Sequence, residues 1–147
     1  MVVVLGGIGV HVLEIRAKAH AQEEVRYTAA FITEKIRVSV DGAHTILTPS
    51  MNATGTVLTL QMHDPEKNPT VFDSVDGQVR MQEGSGSPAV LSVDGVVPTL
   101  EFSNVTQEDG PGSIRYILHL ESYNPEQRIA LSASSTFYTT VSIRTTP

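Results

Sequence analysis

No proline occurs between Val2 and Val40, and the glycines of that stretch are confined to Gly6, Gly7 and Gly9. Such a run constrains the fold strongly, because a proline would remove a backbone donor and clash with the preceding helical turn. Ala17, Ala19, Ala21, Ala29 and Ala30, with Glu14, Glu23, Glu24 and Glu34, add intrinsic helix propensity. The stretch predicts one helix of about 37 residues, on the order of 55 Å long at roughly 1.5 Å per residue. Its two halves differ. Val25, Ala29, Ile32 and Ile36 follow the spacing i, i+4, i+7, i+11, which places them on one face for packing against a sheet. Val2, Val3, Val4, Leu5, Ile8, Val10, Val12, Leu13 and Ile15 instead surround the helix on most sides, so no single face of a small domain could bury them. Residues 1–21 are therefore expected to project and to be covered by a partner.

Asp41-Gly42 ends the helical pattern, and the period then changes from about 3.6 to 2. Thr56 to Met62 alternates as a half-buried strand. In TVFDSVDGQVRMQE, Asp76-Gly77 sits between two alternating runs, and Asp-Gly favours the positive φ angles of a tight hairpin. VVPTLEFSNV, SIRYILHLES and TFYTTVSIR supply three more strands, with Ile114, Tyr116, Leu118 and Leu120 on one face of theirs. Residues 84–88 and 107–112 read as exposed turns. The expected fold is α+β, with a long N-terminal helix (residues 1–40) packed by its C-terminal half on a mostly antiparallel β-sheet. Residues 41–147 form a β-rich head, and the chain is one domain.

Composition narrows the function. Aromatic residues make up 5% of the chain and tryptophan is absent, so the core must be aliphatic. Ten Lys+Arg against 16 Asp+Glu give a net charge of −6, which argues against nucleic acid as a partner. With no cysteine there can be no disulfide, thiolate zinc site or thiol nucleophile. His11, His20, His44, His63 and His119 are scattered singly, whereas zinc needs three or four converging ligands. His63 and Asp64 beside Pro65 and Glu66 have the composition of a turn. SASS (Ser132 to Ser135) lacks a nucleophile elbow, and LGGIG lacks the preceding strand of a phosphate cradle. Small residues that let helices approach closely explain those glycines better. The acidic pairs Asp64/Glu66, Asp73/Asp76 and Glu108/Asp109 could gather calcium only if their loops met, and none has EF-hand spacing. The sequons at Asn52 and Asn104 are three-residue patterns that arise readily by chance. No catalytic residue, cofactor site or metal site is nominated.

A greasy helix turning charged at EIRAKAHAQEEVRYTAAFITEKIRVSV, then GTVLTLQM, the hairpin FDSVDGQVRMQ and the three closing strands together resemble a type IV pilin-like protein. Within that family the chain is most similar to a minor pseudopilin of type II secretion, or to a minor pilin. The resemblance spans nearly the whole chain through strand spacing, without a signature motif. It implies a pilin-like fold and a structural subunit of a pilus or pseudopilus filament, serving secretion or surface attachment, with no enzymatic activity and no cofactor. Its implied partners are other pilin or pseudopilin subunits, and the inner membrane before assembly. The implied location is the cell envelope, with an extracytoplasmic head or an extracellular filament. Val2, Val3, Val4, Leu5, Ile8, Val12 and Ile15 would form the assembly interface, and Val25, Ala29, Ile32 and Ile36 the packing of helix on sheet.

The family's basic leader ending in Gly, followed by Phe-Thr-Leu-Ile-Glu, has no counterpart in these residues. The chain begins as if partway along the membrane segment, through a downstream start or a short helix, and Val2 to Leu13 is about half of the ~20 residues that a span requires. Glu14 lies at the wrong end of the greasy run to match the family's helix-start glutamate. Ala19-His20-Ala21 also has the small-x-small form of a signal-peptidase site, without a positive region ahead of it. An alternative function follows from the same helix: a membrane-tethered extracytoplasmic binding module using an exposed sheet edge or loops.

Overall fold

A computed structural model of the chain describes the backbone of residues 2–92, 96–122 and 133–143, and the side chains of the same segments from residue 19 onward. Helix α1 (Val2–Asp41) is continuous over 40 residues. At Gly42 the chain makes one last helical bond, N–H to the Val38 carbonyl at 3.2 Å, and then turns directly into a strand.

Nine strands follow among the described residues: β1 (Ala43–Thr48), β2 (Thr54–Gly55), β3 (Leu58–Met62), β4 (Thr70–Val75), β5 (Gln78–Glu83), β6 (Ala89–Val90), β7 (Val96–Asn104), β8 (Ser113–Ser122) and β9 (Ser134–Ser142). They divide into two sheets, one of five strands in the order β1-β3-β4-β5-β6 and one of four in the order β2-β7-β8-β9. Every pairing in both is antiparallel. The fold is thus α+β. The helix packs on β8 and β9 with further contacts to β7 and β3, and the sheets meet where β4 and β5 touch β7.

Local chemistry explains the elements. The β4–β5 hairpin turns at Asp76 (φ 53°) and Gly77 (φ 74°), the left-handed pair that a two-residue loop matched to strand twist requires. β7 alternates buried Val96, Pro98, Leu100 and Phe102 with exposed Val97, Thr99 and Glu101, and β8 buries Ile114, Tyr116, Leu118 and Leu120. With one sheet face buried, period 2 fixes the register, since a slip of one residue would turn the apolar set to water. A close approach adds to this at Gly112, where a Cβ would lie 2.6 Å from Ile143 Cδ1.

The core is a single apolar cluster. Val25, Ala29, Ile32, Ile36 and Val40 of α1 are buried in it, against residues of both sheets. Each fully buried valine or isoleucine contributes about 1.5–3 kcal/mol relative to exposure.

Candidate functional site

Helix α1 has a buried face and an outer face, and the side chains described from residue 19 onward define both. The inner face runs Ala21, Val25, Ala29, Ile32, Ile36, Val40. Thr28 and Ser39 are also buried there, which apolar spacing alone could not signal, while Val40 continues that spacing by one more step. Between α1 and β9 lies a hollow lined by Gln22, Val25, Arg26, Ala133, Ser134 and Phe137.

The outer face is mixed. Tyr27 is 66% exposed and Phe31 37%, with Val38 exposed further along the same side. The Tyr27 and Phe31 rings stack at 6.4 Å with an interplanar angle of 7°, and the Lys35 ammonium lies 5.5 Å from the Phe31 ring centre. This row follows i, i+4, i+8 spacing, in which side chains one turn apart meet. Beside it Arg37 bridges two carboxylates, donating to Glu34 at 2.6 Å and to Asp41 at 3.1 Å. The hydrogen bonds from Arg37 lower the pKa of Glu34, and those to Glu34 raise that of Arg37.

Val2, Val3, Val4, Leu5, Ile8, Val12 and Ile15, the residues expected to form an assembly interface, have side chains outside the described residues; their backbone is part of α1. Among the described residues, no helix is long and apolar enough to cross a membrane.

The residues weighed for chemistry are placed apart or already engaged. His20 pairs with Glu24 at 3.1 Å on the helix surface. His44 and His63 meet edge to face at 5.3 Å, and His44 Nδ1 lies 2.7 Å from Thr45 Oγ1. His119 sits on the outer face of the four-stranded sheet between Thr136 Oγ1 and Glu121 Oε1, at 2.6 and 3.0 Å. His11 lies outside the described residues. Asp64 caps the short 3-10 turn Pro65–Lys67 by accepting from the Glu66 N–H, and Asp73 receives two hydrogen bonds from Arg80, at 3.1 and 3.0 Å. No group of three His, Asp or Glu able to hold a metal ion occurs among the described residues. Asn104 of the second sequon is buried and its amide donates to the Pro49 carbonyl at 2.9 Å, so that side chain is committed to the fold.

No family model matches the chain, and no curated protein and no solved structure shows a significant similarity to it.

Proposed function

We propose that the chain is a type IV pilin-like structural subunit, of the minor pseudopilin or minor pilin kind, that assembles into a pilus or pseudopilus filament through its N-terminal helix. One observation carries this reading: α1 runs unbroken for 40 residues, its described inner face from Ala21 to Val40 packs on the core, and the sequence from Val2 to Ile15 is apolar on most sides of a helix. The antiparallel head gives the helix its anchor. In this reading Val2, Val3, Val4, Leu5, Ile8, Val12 and Ile15 pack with the same segment of neighbouring pilin or pseudopilin subunits, at about 25 cal/mol for each Å² of apolar surface covered. Gly6 and Gly9 let the helices approach closely.

Before assembly the same stretch holds the subunit in the inner membrane, with the head on the extracytoplasmic side. The function is assembly in secretion or surface attachment, without turnover or cofactor, and its location is the cell envelope. Sedimentation of the full chain and of a chain lacking residues 1–21, in detergent-free buffer, tests it. Polymers or mixed oligomers that depend on residues 1–21 are expected. A full chain that stays monomeric and binds a peptide or glycan would replace this reading with the tethered binding module.

A further inference from the structure

Among the described residues the two sheets present four edge strands, and three of them are blunted. β2 and β6 are two residues long, and β1 is short with register shifts between Ala43 and Thr45 and between Ile46 and Thr48. Short or irregular edges are how proteins keep strands from pairing with other chains. β9 has none of these defences. It is nine residues long, SSTFYTTVS, pairs with β8 in unbroken register, and contains no charge, proline or glycine. No described strand pairs with its other side.

The direction of its backbone groups follows from the bonds at its two ends. Ser122 N donates to the Ala133 carbonyl at 2.8 Å, and Ile143 N donates to the Gly112 carbonyl at 2.7 Å. Bonded and non-bonded pairs alternate along an antiparallel ladder, so the odd-numbered residues of β9 aim their main-chain groups at β8. Ser134, Thr136, Tyr138, Thr140 and Ser142 aim theirs at the open side. The same residues carry the exposed side chains of the strand, and Tyr138 at its centre is 73% exposed.

We propose that β9 is a self-pairing edge, which binds β9 of a second copy of this chain antiparallel about a two-fold axis through Tyr138. The sequence of the strand argues for this occupant because its open-side residues, Ser134, Thr136, Tyr138, Thr140 and Ser142, read the same from either end. Centred on Tyr138, antiparallel pairing sets Tyr138 opposite Tyr138 of the second copy, Thr136 opposite Thr140, and Ser134 opposite Ser142. Aromatic and threonine or serine pairs of this kind are favourable across strands. All the residues named face one another as hydrogen-bonded pairs, so one register satisfies the open main-chain groups of both strands. Charge points the same way. Each copy carries a net −6, and β9 lets two copies meet without setting like charges opposite each other within the strand. A two-fold contact closes on itself and cannot propagate a filament, so this surface is separate from helix-driven assembly.

The absence of cysteine makes the test direct. Tyr138→Cys, Ser134→Cys and Ser142→Cys are each prepared in the full chain, in detergent that covers the apolar helix, and treated with a short bifunctional maleimide. In the proposed pair position 138 lies about 5.5 Å from itself. Position 134 lies eight residues from itself, or about 27 Å, as does position 142. A cross-linked dimer several-fold more abundant for Tyr138→Cys than for the other two is expected. Equal yields at the three positions, or none at 138, overturn the proposal. Thr140→Pro removes an open-side donor where an edge strand tolerates proline, and should abolish the dimer with the melting temperature retained. Should that variant not fold, charges replace it: Thr136→Lys with Thr140→Lys should lower the yield, and Thr136→Lys with Thr140→Glu should restore it. Yields indifferent to those charges also overturn the proposal. Because detergent already suppresses helix contacts, a failure of filament assembly leaves this measurement unchanged.

Discussion

Tyr116 is fully enclosed, yet its phenol oxygen has no hydrogen-bond partner among the described residues. Burying a hydroxyl without a partner costs free energy, while the ring itself packs against Phe102 at 6.3 Å. Tyr116→Phe is therefore expected to leave stability unchanged or raised, and Tyr116→Ala to lower it by about 3–5 kcal/mol, as read from urea midpoints. A second residue-scale expectation concerns Glu34. Its folded pKa lies below its ordinary value because Arg37 hydrogen-bonds the carboxylate. The pair therefore stabilises the fold above the ordinary carboxylate range, and that contribution disappears as pH falls through the depressed folded value. Glu34→Gln should be slightly less stable than the parent at neutral pH and indistinguishable from it in strong acid, by denaturant titration at both. The difference at neutral pH should shrink with added salt, since the pair is exposed.

At the scale of elements, the helix is the clearest case of one-sided design. Ile32 lies at 0% exposure on the buried face, whereas Tyr27 stands in solvent on the outer face. Ile32→Ala is expected to cost about 2–5 kcal/mol in urea unfolding, and Tyr27→Ala much less, because only the first leaves a cavity. The helix and the longer strands are legible in the sequence, because burial on one side imposes periods of 3.6 and 2 on residue choice. Ile114, Tyr116, Leu118 and Leu120 show this directly in β8. Partner choice is not legible in the same way. Nothing local in Thr54-Gly55 indicates that it pairs with Phe102 and Ser103, and the division into two sheets rests on such long-range pairings. β1 was also obscured, since Ile46 is buried but the adjacent Leu47 is exposed, which breaks the amphipathic reading of AHTILT. The open edge of β9 was equally hidden, because a sequence does not state which strand ends a sheet.

At the scale of the whole molecule, an N-terminal helix is anchored on a head of two antiparallel sheets. The head holds the helix by its inner face, and the histidines and carboxylates described are separate or engaged in local bonds. In the proposed reading the apolar stretch Val2 to Ile15 needs a partner surface, since large apolar side chains left in water cost about 1.5–3 kcal/mol each. Filament assembly in the proposed reading covers them with neighbouring helices. Leu5→Asp and Ile8→Asp place a charge in that stretch, so they separate assembly from folding of the head. The decisive measurement is electron microscopy and sedimentation of the parent and these two variants, alongside their circular dichroism and thermal melting. Helix-driven assembly predicts that filaments are lost while spectra and melting temperatures match the parent; assembly that persists, or a head that unfolds, would contradict it.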